Sequence, residues 1–225
     1  MTAGLQGLVA LLVEKQVLRF GDFTLKSGRQ SPYFFNLGAL HTGAATQQLA
    51  EAYAERILAA DLAPDVVFGP AYKGIPIAVA VAEALARRGR DVAWSFNRKE
   101  EKAHGEGGRF VGGELSGRVL LVDDVLTAGT AVREAVGLID GAGGTLCGVV
   151  IAMDRQEVDA DGQTAVEKLA VELSVPVLSL LTLQDVIEYL DSPGHEDNHQ
   201  AALKARIHAY QQTYCAYASG APEQR

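Results

Sequence analysis

"VLLVDDVLTAGTA", residues 119–131, runs four apolar residues into two adjacent aspartates and then into a small, hydroxylated turn. An ionised carboxylate inside a dry sheet is very costly. Asp123 and Asp124 therefore belong at the exposed carboxyl end of a strand, the edge where open α/β sheets bind ligands. The turn Thr127-Ala128-Gly129-Thr130 leads into a helix, whose first N–H groups and positive dipole end suit a phosphate. Gly129 lets the backbone approach closely, Ala128 does not obstruct it, and Thr127 and Thr130 add hydroxyl donors. Two carboxylates beside a phosphate cradle fit a ribose 5-phosphate: phosphate on the cradle, 2- and 3-hydroxyls on the carboxylates. The same carboxylates favour positive charge developing at the anomeric carbon. A lone Asp-Asp more often closes a solvated turn, with Thr130 as a plain helix cap; the whole pattern between strand and helix points to the ligand site.

Outward from this stretch, strands and helices alternate. Residues 4–18 read as a helix, and Phe23, Leu25, Tyr33, Phe34 and Phe35 flank the turn-rich "KSGRQSP" as a β-hairpin. Thr42 to Ala60 is helical, "DVVFG" (65–69) is a buried strand closed by Gly-Pro, and Gly74 to Arg88 is helical again. "DVAWSFN" is a strand. Residues 97–117, with six glycines and many charges, read as a long connection, longer than compact domains usually carry. Then follow strand 118–123, a helix over 130–140, the strand "TLCGVVIAM", a helix near 164–172, the strand "VPVLSLL", and helices near 182–190 and 196–213. This rhythm predicts an α/β fold with a mainly parallel, doubly wound sheet.

The bounds agree with one α/β domain over 1–225. Of the 225 residues 48% are hydrophobic and 21% charged, as in an ordinary soluble protein with a sizeable core. A formal net charge of -8 disfavours nucleic acid as a partner but leaves room for a local cationic cluster that binds small anions. Two cysteines, Cys147 and Cys215, make no disulfide framework and point to a reducing, cytoplasmic compartment. The apolar "LVALLV" is too short for a membrane span and lacks the basic flank of a signal peptide, so no membrane role is expected.

"VLLVDDVLTAGTA" resembles the phosphoribosyl pyrophosphate (PRPP) motif of the type I phosphoribosyltransferases. It is not a Walker loop, and no G-x-G-x-x-G occurs. With "FTLKSGRQSPYFFN" (23–36), "GPAYKGIPIA" (69–78), "RKEEKAHGEGG" (98–108) and "MDRQE" (153–157), the chain resembles the orotate phosphoribosyltransferases over residues 20–190. The first and third of these motifs separate that family from the purine enzymes. The resemblance implies the type I fold with an N-terminal hood over 1–40, a flexible catalytic loop over 97–117 and a tail over 216–225. It implies transfer of ribose 5-phosphate from PRPP to N1 of orotate, with Mg2+ accompanying the diphosphate, and a homodimer whose loop reaches the neighbour's site.

It implies residue roles as well. Asp123, Asp124, Val125, Leu126, Thr127, Ala128, Gly129, Thr130 and Ala131 hold the ribose and its 5-phosphate. Tyr72 and Lys73 approach the diphosphate. Arg98, Lys99, Lys102 and His104 belong to the loop, with Lys102, Asp123 and Asp124 as the catalytic set. Lys26 contacts both substrates. Phe34 and Phe35 form the orotate platform, and Thr127 and Arg155 touch the base. No metal ligand supplied by the protein alone is implied; Asp123 and Asp124 can assist Mg2+ through water.

The residues on their own agree with these roles and leave some alternatives. Orotate is flat and anionic, which suits aromatic or backbone surface with an arginine fork. Phe34 and Phe35 can equally be core, since adjacent strand residues face opposite sides. The cations at 98, 99, 102, 104 and 109 can form a solvated loop balanced by Glu100, Glu101 and Glu106; the length and the glycines favour a lid that excludes water and neutralises a leaving group. "HEDNH" (195–199) matches H-E-x-x-H, but it follows "DSPG" at a helix start and offers no third ligand, so it reads as a solvated first turn. A phosphoribosyltransferase for another base is disfavoured by the hairpin motif. A sensor of PRPP should carry a DNA-binding extension and a basic face. The length leaves no room for a fused decarboxylase domain, so a single activity is expected.

Overall fold

The computed structural model describes residues 3–25, 27–102, 108–126, 128–193 and 198–216, with backbone only at 3, 101, 102 and 198–200. Helix α1 (Ala3–Glu14) leads into a two-stranded antiparallel sheet of β1 (Leu18–Thr24) and β2 (Gln30–Phe35). The helix stops earlier than its apolar pattern predicts. Gln16 takes a left-handed φ of 57°, and Leu18 is already paired with Phe35.

The main sheet has the order β5-β4-β3-β6-β7-β8. Its strands are β3 (Val66–Phe68), β4 (Ala93–Lys102), β5 (Gly108–Gly112), β6 (Gly117–Val125), β7 (Gly144–Asp154) and β8 (Val177–Thr182). All neighbours run parallel except β4 and β5. Helices α2 (Gly43–Ala59), α3 (Gly74–Arg87), α6 (Leu183–Asp191) and α7 (Asn198–Tyr214), with α1, share one buried cluster with Val67, Leu120, Val122 and Val150 of the sheet. Helices α4 (Thr130–Gly141) and α5 (Ala165–Leu173) pack against Val66, Phe68, Val119, Leu121 and Ile151 on the other face. Both faces are covered, so the central strands are apolar on both sides, the mark of a parallel sheet.

One reading needs correction. Part of the stretch read as a long connection is strand. β4 runs on to Lys102 and β5 returns from Gly108, with Ser95 opposite Gly112, Phe96 opposite Val111 and Asn97 opposite Phe110. Ladder hydrogen bonds need backbone, not apolar side chains, and an edge strand facing water carries charges readily. Residues 103–107 lie outside the described residues.

Strand β3 passes through α3 to β4 on one side, while β6 sits on the other side of β3 and continues to β7 and β8. The order of winding therefore reverses between β3 and β6, where doubly wound sheets open a crevice at the carboxyl ends.

Candidate active site

The crevice between β3 and β6 gathers the sequence motifs. After β3 the chain turns through Gly69-Pro70-Ala71-Tyr72-Lys73 into α3. A methyl group on Gly69 would sit 2.0 Å from the Gly74 carbonyl oxygen, so this turn closes only with glycine. The Ala71–Tyr72 peptide is cis, and the Ala71 N–H donates to Asn97 Oδ1 at 3.0 Å. At the end of β6, Asp123 and Asp124 lie beside this turn. Lys73 Nζ donates to Asp124 Oδ2 at 2.6 Å, joining the two strand ends across the crevice.

The two carboxylates differ in setting. Asp123 lies opposite Ile151 of β7, and its Oδ1 accepts the Asp124 N–H at 2.9 Å. Its backbone carbonyl accepts the Tyr53 hydroxyl of α2 at 2.8 Å. Burial, and then the charge of Asp124, push the Asp123 carboxyl up to about 6, against the pull of the Asp124 N–H and of Lys73. Asp123 therefore takes up a proton near pH 6, above the usual carboxylate range.

Beyond β6, Leu126 is buried against the α4–α5 side of the core, which anchors the start of the turn. Gly129 is the N-cap of α4 at φ 75°, and a Cβ there would meet Leu169 at 2.9 Å. Ala128, Thr130 and Ala131 are exposed around it. Arg133 Nη1 donates to the Ala128 carbonyl at 2.8 Å, and its Nη2 pairs with Glu172 at 2.7 Å. The carbonyl of the turn is thereby held back toward α5. The N-terminus of α4 carries no acidic residue in its first turn, leaving its positive end uncompensated.

Cations reach the crevice from the edge hairpin. Lys99 Nζ stands 5.1 Å from the centroid of the Tyr72 ring, which is 69% exposed. Arg98 Nη1 donates to the Gly108 carbonyl at 3.0 Å, bracing β4 on β5. Lys102 ends β4, and only its backbone is described.

At the next carboxyl end, that of β7, Arg155 is buried with 10% of its side chain exposed. Its Nε pairs with Glu157 Oε1 at 2.6 Å, and Nη2 donates to Ser31 Oγ at 3.0 Å. The hairpin thus packs directly on this corner of the sheet. Phe34 and Phe35 part company: Phe35 is buried in the core, whereas Phe34 stacks on Phe23 at 5.4 Å with Arg19 over its ring. From the Phe35 position a ligand can meet backbone, not ring.

Lys26, Thr127 and His104 lie outside the described residues, as do His195 and Glu196 of the H-E-x-x-H match; the side chain of His199 is likewise undescribed. Among the described residues no three His, Cys, Asp or Glu side chains gather as a metal cluster. Two carboxylates, one already paired with Lys73, suit a hard cation that arrives on a phosphorylated ligand and keeps water between itself and the protein. Tyr53, Asn97, Glu157, Tyr210 and Arg133 escaped the sequence reading. Only Glu157 had a nearby signal, the "MDRQE" stretch.

Comparison with known proteins matches residues 36–172 to the phosphoribosyl transferase domain. The chain is 51% identical over 198 residues to an orotate phosphoribosyltransferase of Pseudoalteromonas translucida, covering 88% of this chain and 92% of that one. Its fold is similar to the crystal structure of the Francisella tularensis orotate phosphoribosyltransferase, with a TM-score of 0.80, 38% identity, and coverage of 93% of this chain and 99% of that one. A Mycobacterium tuberculosis orotate phosphoribosyltransferase solved with PRPP is also similar, at a TM-score of 0.62, 26% identity, and coverage of 81% and 98%.

Proposed function

The chain belongs to the orotate phosphoribosyltransferases, pentosyltransferases of pyrimidine synthesis that move ribose 5-phosphate from PRPP to orotate, and we propose that the β3–β6 crevice is where it does so. The observation that carries this reading is the Lys73–Asp124 bridge across the switch point, beside the Gly129 turn. It joins a cation, two carboxylates and a glycine turn in one crevice, which supports diphosphate on the cation, ribose on the carboxylates and 5-phosphate on the turn.

In this reading residues 127–131 hold the 5-phosphate through backbone N–H groups and the α4 dipole. Asp123 and Asp124 take the 2- and 3-hydroxyls and stabilise the cation that forms at the anomeric carbon as its bond to diphosphate lengthens. Lys73, Tyr72, Arg98, Lys99, Lys102 and His104 offset the charge growing on the diphosphate. N1 of orotate then bonds to the anomeric carbon as the bond to diphosphate breaks and the N1 proton is given up to the departing diphosphate or to water, giving orotidine 5-phosphate. Lys26, Thr127, Arg155 and the Phe34–Phe35 segment orient the base; a guanidinium suits its carboxylate. Mg2+, when bound with PRPP, supplies further charge neutralisation on the diphosphate, with Asp123 and Asp124 as partners through water.

A homodimer in the cytoplasm completes the reading. An apolar recess of about 400 Å3 lies between α2, α3 and the 3-10 turn Leu37–Ala39 and reaches Lys73. The outward Tyr72 and Val79 flank the same region, and apolar surface of this kind beside a site supports a second copy there. Both cysteines are free and buried, as suits a reducing compartment. Among the described residues no helix is long and apolar enough to cross a membrane.

The test is the loss of orotate absorbance with PRPP and Mg2+, run beside uracil. Orotate should be consumed only when both are present, and uracil, lacking the carboxylate, should react very poorly. Equal use of the two bases would sink the base assignment.

A further inference from the structure

Arg155 is held by more than its own strand. Glu157 Oε1 accepts both Arg155 Nε and the Tyr210 hydroxyl at 2.6 Å. Arg155 Nη2 donates to Ser31 Oγ at 3.0 Å and to the Tyr210 hydroxyl at 3.3 Å. The guanidinium lies 4.1 Å from the centroid of the Tyr33 ring, and Tyr210 meets that ring edge-on at 5.9 Å. On its other oxygen Glu157 accepts Arg29 Nη1 at 3.1 Å, from the hairpin turn. The backbone is fixed as well: Gln156 has φ 55°, its N–H donates to Asp154 Oδ1 at 2.8 Å, and its Oε1 accepts the Gln184 N–H at 3.0 Å.

This pattern clamps one edge of the guanidinium, Nε and Nη2. Among the described residues Nη1 makes no hydrogen bond, and it is the corner left for a ligand. We infer that Glu157 and Tyr210 are positioning residues for base recognition: they hold the Arg155 guanidinium with Nη1 presented to the carboxylate of orotate. The inference rests on Arg155 contacting orotate, as proposed above.

The chemistry fits an anionic base. One carboxylate between two guanidiniums leaves a net single positive charge on the group of three, which one substrate carboxylate neutralises. Without Glu157 two like charges would face each other in a part-buried space, and the fork would turn away from the site. Tyr210 belongs to α7, so the C-terminal helix acts on base recognition without touching the base. A preorganised fork loses less freedom on binding than a loose one.

The experiment compares Tyr210→Phe, Glu157→Gln and Arg155→Ala by steady-state kinetics with each substrate varied. Tyr210→Phe keeps the ring and removes only the hydroxyl. Loss of the two hydrogen bonds of the Tyr210 hydroxyl should raise the orotate KM several-fold in Tyr210→Phe, and loss of the Glu157 charge should raise it about tenfold in Glu157→Gln. The PRPP KM should stay within about twofold in both, the scatter expected when no contact to that substrate changes. If Arg155→Ala raises the orotate KM while both clamp variants match the unaltered protein, the clamp does not position Arg155 and the inference fails alone. If the clamp variants raise both KM values alike, the network is merely structural and the inference fails. If Arg155→Ala itself leaves the orotate KM unchanged, the base-contact reading fails and takes the inference with it. Should Glu157→Gln fail to fold, Tyr210→Phe decides.

Discussion

Lys73 and Asp124, 51 positions apart in the chain, meet at 2.6 Å across the point where the sheet reverses its winding. The lysine side chain is 53% exposed and the aspartate 13%, so the charge of Lys73 is available to a ligand while Asp124 is already held in place. The same lysine opposes the burial and the like charge that raise Asp123 to about 6. Three groups of the crevice are therefore electrostatically linked: Lys73, Asp124 and Asp123.

That linkage predicts two shifts of opposite sign. The acid limb of kcat/KM for PRPP should fall near pH 6 if Asp123 must be ionised. Asp124→Asn removes a like charge, lowers the Asp123 pKa and moves the limb to lower pH. Lys73→Gln removes a counter-charge and moves it to higher pH. The 5-phosphate of PRPP titrates in the same range, with a second pKa of about 6, so the shift between variants is the measurement. Both limbs moving the same way would rule out Asp123 as the titrating group.

Asp123 and Asp124 should also govern turnover. A preorganised electrostatic contact to the forming cation is worth roughly 3 kcal/mol, or about a hundredfold in rate. Asp123→Asn and Asp124→Asn should each lower kcat by about that factor at saturating substrate. Near-normal turnover in both would reject the role.

The cost of holding Asp123 charged should appear in stability. Its folded pKa is raised, so its protonated form favours folding at low pH, and that contribution is lost as pH rises through about 6. Asp123→Asn removes the charge, and the variant should be more stable than the parent by on the order of 2 kcal/mol at pH 7.5. The gain should shrink as pH falls and vanish below about 4, where the unfolded carboxyl is also protonated. Urea melts at several pH values measure this; a gain that does not depend on pH would contradict it.

Gly69 makes a mechanical prediction. Its missing side chain lets the β3–α3 turn touch Gly74, so Gly69→Ala must push the turn apart. The variant should lose at least about 2 kcal/mol, a fall in Tm of about 5 °C or more, together with PRPP affinity. Gly137→Ala in α4 meets nothing within 4 Å and should instead gain up to about 1 kcal/mol. Equal thermal behaviour of the two variants would show that the close approach does not matter.

The proposal of a homodimer with shared sites can be tested by complementation. Lys102→Ala damages the loop and Asp124→Asn damages the crevice, so each homodimer should be nearly inactive. Dissociated and reassociated together, mixed dimers should regain activity, because the sound loop of one copy meets the sound crevice of the other. Verified mixed dimers as inactive as their parents would show that each loop serves its own chain.

The alternation of elements was legible along the chain because burial on both faces writes long apolar strands, "DVVF", "VLLV" and "VVIAM", and each helix repeats apolar residues such as Ile77, Val81 and Leu85. The cost of burying charge placed the Asp123–Asp124 pair near the strand end, but the exposure expected with it did not hold: β6 runs on to Val125, the Asp124 side chain is only 13% exposed, and burial raises Asp123. The edge strands past Asn97 were not legible, because their charges and glycines hide backbone pairing that depends on a partner strand rather than on apolar side chains.

By itself, then, the sequence determined the parallel α/β core, the carboxylates and glycine turn at one strand end, and the hairpin before them. Each follows from local terms: apolar period, the solvation of charge, and the backbone freedom of glycine. Only the tertiary structure decided that Lys73 caps Asp124, that Asp123 is raised to about 6, that Phe35 turns into the core while Phe34 meets Phe23, and that Tyr210 reaches Arg155 across 55 positions. Those relationships depend on distance and burial between elements far apart in the chain, and a pairwise charge or hydrogen bond has no sequence pattern until the fold brings its partners together.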